Sequence, residues 1–128
     1  MKIKKLLFAS ALLFSAYNAS AQTQVIAHRG FWKTEGSAQN SIAALLKADS
    51  IGCYGSEFDV WLAADDQLVV NHDPTFKGKR MENSPSTALT AIKLDNGESL
   101  PTLAKYLKAA QPLHTRLILE PVSYTHLR

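Results

Sequence analysis

The chain has a single cysteine in 128 residues, so no internal disulfide can brace it. Cys53 ends a helical pattern and reads as a small buried apolar side chain. No apolar run reaches the ~20 residues that a membrane-spanning helix needs. No internal repeat, low-complexity tract or Pro/Gly/Ser-rich linker divides the chain, which argues for one small domain. A sustained charge excess is missing too. The net charge of +3 equals the contribution of Lys2, Lys4 and Lys5, and the remaining basic residues match the 11 acidic ones in number. That balance removes the electrostatic case for nucleic acid or an anionic membrane as partner.

What is present begins with an address. Three lysines near the start precede an apolar run over 6–16, and Ala19-Ser20-Ala21 offers small residues at the cleavage spacing. This pattern predicts a secretory signal peptide over 1–21. A lipoprotein anchor would want cysteine after the cut, where Gln22 stands. The mature chain is therefore expected beyond the inner membrane, in the periplasm, without a stable membrane anchor.

Periodicity predicts the elements that follow. Val25-Ile26-Ala27 reads as a strand ending at His28-Arg29-Gly30. Asn40 is expected to cap a helix carrying Ile42, Leu45 and Leu46 on its apolar face, with Gly52 stopping it. A strand over 54–62 completes a βαβ unit, whose strands should run parallel. Leu68-Val69-Val70 follows too soon for a crossover helix and should form an antiparallel hairpin with that strand. A two-residue turn at Asp65-Asp66 would pair Trp61 with Val70 and Asp59 with His72. It would gather Glu57, Asp59 and His72 on one face. The polar stretch up to Glu98 shows no period. Pro101 suits the first turn of a second helix with Leu103, Tyr106, Leu107 and Ala110 as its buried stripe. Pro112 closes it, and Arg116-Leu117-Ile118-Leu119 reads as a third parallel strand ending at Glu120.

Reactive side chains thus collect at strand ends, where parallel α/β architectures bind ligands. Glu57 and Asp59, at i and i+2, present two carboxylates to one point, and Glu120 adds a third. Crowded carboxylates repel unless a cation neutralises them, and hard oxygen ligands favour Ca²⁺ or Mg²⁺. A solvated strand edge would account for Glu57-Phe58-Asp59 taken alone. His28 and His72 at matching ends favour the cation reading, because imidazole suits acid–base work near neutral pH. A zinc site of two histidines and carboxylates is the rival, but it would leave no acid–base pair. Arg29 offers a planar fork that fits a phosphate.

These segments, in this order and spacing, resemble glycerophosphodiester phosphodiesterases. The likeness lies in Val25-Ile26-Ala27-His28-Arg29-Gly30, Gln39-Asn40-Ser41, Glu57-Phe58-Asp59-Val60 and Val69-Val70-Asn71-His72-Asp73-Pro74. It continues in Leu100-Pro101-Thr102-Leu103 and Leu117-Ile118-Leu119-Glu120. The resemblance implies an α/β (β/α)8 TIM-barrel type fold, with the first three βα units present and a β-hairpin inserted after strand 2. It implies His28 and His72 as the catalytic acid–base pair, Arg29 on the substrate phosphate, and Glu57, Asp59 and Glu120 around one divalent cation, Ca²⁺ or Mg²⁺. The expected reaction releases glycerol 3-phosphate and an alcohol such as choline or ethanolamine from a small-molecule glycerophosphodiester.

Two departures accompany the likeness. The family often has Glu where Gln39 stands, and commonly continues Glu-x-Lys where Val122 stands. Residues 121–128 read as a non-native tail, with 22–120 as the N-terminal part of the barrel. Since such a barrel takes ~250 residues, the chain as it stands is expected to be poorly stable and inactive. The rival functions are a phospholipase D-like lipid phosphodiesterase and a non-catalytic secreted binding module of the same fold.

Overall fold

The computed structural model describes residues 22–122. The expected signal peptide over 1–21 and residues 123–128 of the expected tail lie outside the described residues. In chain order the elements are β1 (Ile26–Ala27), α1 (Ile42–Ser50), β2 (Gly55–Leu62), β3 (Leu68–Val70), β4 (Thr75–Phe76), β5 (Lys79–Arg80), a 3₁₀ turn (Met81–Asn83), α2 (Ser86–Thr90), α3 (Leu103–Ala110) and β6 (Arg116–Pro121).

β2 is the centre of the sheet. β6 runs parallel along one edge, from Gly55↔Arg116 to Val60↔Pro121. The other edge is shared by β1, parallel at Gly55 and Ser56, and by β3, antiparallel from Val60 to Leu62. The parallel strands match the βαβ expectation. Every residue of β2 except Leu62 is buried, as expected of a strand covered on both faces. On one face Phe58, Val60 and Val70 pack beneath Leu45 of α1 and Tyr106 of α3. The Phe58 and Tyr106 ring centroids lie 4.6 Å apart, with the planes tilted by 30°. Trp61 and Val69 belong to a second cluster with Met81, Leu89 and Leu100. Alternation puts Glu57 and Asp59 on the Trp61 side of β2.

The hairpin register differs from the expectation by one residue. Leu62 pairs with Leu68, Trp61 with Val69 and Val60 with Val70. The Ala63 amide donates to the Gln67 carbonyl at 2.8 Å, and the Asp66 amide donates to the Ala63 carbonyl at 3.1 Å. Asp66 sits at φ 59°. The connection is therefore a three-residue turn closed by a left-handed residue, not a two-residue turn. One residue of slip exchanges the faces. Asn71, rather than His72, lies across from Asp59, and its amide donates to the Asp59 carbonyl at 3.1 Å. His72 lies in a loop beyond β3, not on the ladder.

Both helix starts are also corrected. The Ser41 hydroxyl caps α1 by accepting the Ala44 amide at 3.0 Å, and Asn40 stands one residue before it. Thr102 caps α3 by accepting the Lys105 amide, so Pro101 precedes the cap instead of opening the first turn. On α3, Tyr106 is fully buried while Leu107 is 41% exposed, a narrower stripe than expected. Gly52 ends α1 with φ 75°, as read from the sequence. The stretch without a period contains the β4–β5 hairpin and α2, and the Asp65 carboxylate accepts the Ser86 amide at the start of α2. Pairing continues past Glu120: Pro121 lies opposite Val60, and the Val122 amide donates to the Val60 carbonyl at 3.0 Å.

The turn after β1 depends on Gly30. It sits at φ 77°, and a Cβ there would come within 2.6 Å of the Ala44 Cβ and 2.8 Å of the Ala44 carbonyl carbon. The next amide, Phe31, donates to the Ala44 carbonyl at 3.0 Å, so α1 cannot simply move away. Gly30→Ala is expected to destabilise the fold by about 2–4 kcal/mol through left-handed strain plus overpacking. A urea midpoint lowered at unchanged slope would show it, and an unchanged midpoint would contradict it.

Candidate active site

The period of two along β2 puts Glu57 and Asp59 on one face, and parallel pairing sets Glu120 beside Asp59. One ligand oxygen from each of the three carboxylates lies within 4.8 Å of the others. Glu57 and Asp59 are buried and Glu120 is exposed. Among the described residues this is the one cluster of three side chains able to hold a metal ion.

Each buried carboxylate engages the protein through one oxygen. Glu57 Oε2 accepts the Arg29 amide at 2.9 Å, and His28 Nε2 stands 3.9 Å from it. Asp59 Oδ2 accepts from Asn40 Nδ2 at 2.9 Å, with Arg29 Nε at 3.7 Å. Glu57 Oε1 and Asp59 Oδ1 are buried with no hydrogen-bond partner. A buried carboxylate oxygen with no partner is costly, and an oxygen-only set converging on one point is the donor chemistry of a hard divalent cation. The residues therefore fit such an ion. Burial pushes the Glu57 carboxyl above its usual range; the Arg29 amide opposes this, and the charges of Asp59 and Glu120 add to it. A cation in the cluster would reverse that balance.

The Arg29 guanidinium packs beside Asp59, and its Nη1 donates to Gln39 Oε1 at 2.6 Å. His28 is largely exposed, with 68% of its side chain accessible. His72 is fixed by its neighbours. Its carbonyl accepts the Trp61 indole N–H at 3.1 Å, and Asn71 Nδ2 donates to the Asp73 carbonyl at 2.6 Å. His72 Nδ1 lies 2.7 Å from Asp73 Oδ1. A carboxylate partner assigns the proton to Nδ1, which leaves Nε2 as the nitrogen free for proton transfer. His72 also lines a cavity of about 280 Å³ with Asn40, Trp32, Phe76 and Asp73. Asn40 joins that cavity to the carboxylates.

Of the residues expected at the site, His28, Arg29, Glu57, Asp59 and Glu120 come together directly, and His72 faces the adjoining cavity. Asn40 and Asp73 were not anticipated. Asn40-Ser41 places two good caps side by side, and only one can cap a helix; that redundancy was the available signal. The indole of Trp61 fills the core while anchoring the His72 carbonyl. Trp32 lines the cavity, and Cys53 is buried. Exposed His114 donates its amide to Asp49 at 2.8 Å.

The fold and site define a class: a parallel-strand α/β protein with its charged residues gathered at strand ends. Comparison with known proteins narrows it. No family model matches the chain. A curated glycerophosphodiester phosphodiesterase from Caldanaerobacter subterraneus subsp. tengcongensis is 48% identical over 54 residues, 42% of this chain and 21% of that protein. A crystal structure of a glycerophosphodiester phosphodiesterase from Parabacteroides distasonis is 56% identical with a TM-score of 0.75, over 77% of this chain and 42% of that one. A phosphodiesterase from Oleispira antarctica, solved with the product sn-glycerol-3-phosphate, is 29% identical with a TM-score of 0.62, over 77% of this chain and 45% of that one. The chain is thus a partial-length match to glycerophosphodiester phosphodiesterases, a family of phosphoric diester hydrolases, and it spans less than half the length of each of these relatives.

Proposed function

We propose that the protein hydrolyses small glycerophosphodiesters to glycerol 3-phosphate and an alcohol, using a site held by one divalent cation and worked by two histidines. The observation that carries this reading is the pair of buried, unpartnered oxygens of Glu57 and Asp59 beside His28 and Arg29. Glu57, Asp59 and Glu120 would hold the cation, Ca²⁺ or Mg²⁺, which when bound supplies positive charge to offset the charge that builds on the phosphoryl oxygens. The Arg29 guanidinium orients the phosphate. Of His28 and His72, one takes the proton from the attacking oxygen, either water or a neighbouring substrate hydroxyl. The other gives a proton to the leaving alkoxide, and at His72 the transfer occurs at Nε2. The cavity beside His72 receives one ester arm. A (β/α)8 barrel would complete the fold, and the leader over 1–21 would direct the protein to the periplasm.

The test is hydrolysis of glycerophosphocholine by the full-length protein, followed by release of glycerol 3-phosphate. Activity is expected to vanish with chelator and to return with Ca²⁺ or Mg²⁺. Hydrolysis undiminished by chelator, or absent with either ion, would overturn the reading.

A further inference from the structure

We infer that Asn40 is a positioning residue for the cation site, acting with the Arg29 backbone to hold each buried carboxylate by one oxygen so that the other is offered to the ion. The inference rests on the cation reading above and deepens it. Arg29 and Asn40 are both non-glycine residues in the left-handed region, at φ 59° and 58°. That conformation is unfavourable for L residues and persists where surrounding contacts over-determine it. Here the two residues brace each other, because the Asn40 amide donates to the Arg29 carbonyl at 3.0 Å. From this braced pair the Arg29 amide goes to Glu57 Oε2 and the Asn40 side chain to Asp59 Oδ2. Asn40 Oδ1 also accepts the Asp59 amide at 3.2 Å, so the side chain grips Asp59 at both ends.

The grip has no other evident use. The start of α1 is capped by Ser41, and Asn40, 3% exposed, gives both ends of its amide to Asp59. It also has a specific competitor. Arg29 Nε lies 3.7 Å from the same Asp59 Oδ2 and has no hydrogen bond of its own. With Asn40 removed, the Asp59 carboxylate is free to turn onto the guanidinium. A cation would then compete with Arg29 for Asp59, and Arg29 would be drawn away from the substrate phosphate.

Calorimetric titration of the full-length protein with Ca²⁺ and Mg²⁺ tests this, with circular dichroism confirming the fold of each variant. Asn40→Gly keeps the left-handed backbone without strain and is expected to raise the cation Kd about tenfold or more, the usual effect of losing a partner behind a ligand. Asn40→Asp tolerates the same backbone and adds a negative charge, but it lacks the donor; weaker binding is expected here too. A folded Asn40→Gly protein with unchanged Kd, or tighter binding by Asn40→Asp, would overturn the inference. A wild-type protein that binds neither ion would instead overturn the cation reading on which it rests.

Discussion

Glu57→Gln is expected to abolish tight cation binding and, at the same time, to make the cation-free fold more stable at neutral pH. The two effects share one cause. The Glu57 carboxyl is pushed up chiefly by burial, so the folded state disfavours its ionised form. A raised folded value means the stability contribution is present at low pH and is lost as pH rises through that value. Cation-free wild type should therefore lose stability between mildly acidic and neutral pH. Glutamine cannot ionise, and its side-chain oxygen can still accept the Arg29 amide. It should remove that loss.

The same substitution takes one anionic oxygen from the cluster and should weaken cation binding by ~100-fold or more, beyond what losing a supporting partner costs. Thermal unfolding with and without Ca²⁺ separates the effects. At 100 times its Kd an ion adds about 2.7 kcal/mol to wild type, and Glu57→Gln should gain almost nothing. A wild type indifferent to the ion, or a variant stabilised by it equally, would contradict the expectation.

His28→Ala and His72→Ala should each lower kcat by ~10²–10⁴ while leaving cation affinity nearly unchanged. The geometry gives the reason for the second half. His72 is bound to Asp73, not to the carboxylates, and His28 is 3.9 Å from Glu57 Oε2, the oxygen already engaged by the Arg29 amide. Neither imidazole occupies the oxygens offered to the ion. Steady-state rates beside calorimetric Kd values decide the matter. A large rise in Kd with either variant would make that histidine a ligand and revive the two-histidine zinc site. Rates within a few-fold of wild type would remove it from the acid–base pair.

How far the site could be read from the chain differs residue by residue. Glu57 and Asp59 were legible because a strand alternates faces strictly, so two carboxylates at i and i+2 in an apolar run must share one face. Glu120 was legible because it ends a second apolar run. His72 was legible as a residue but misplaced on the ladder. The two-residue turn at Asp65-Asp66 was the simplest closure, and only the left-handed Asp66 with the Ala63–Gln67 bond makes it three. The slip altered every cross-strand partner of β3. Asn40 was assigned to α1 on local propensity, and Ser41 took that place. Its contact with Asp59 spans 19 residues, a separation at which local patterns carry no information.

By itself the amino-acid sequence determined which charged groups stand at the ends of which apolar runs, because strand period and helix stops are local properties of the backbone. Only the tertiary structure decided which carboxylate oxygens are spent and which remain open. That choice depends on hydrogen bonds from Arg29 and Asn40, residues held in a left-handed conformation by each other and by the packing around them.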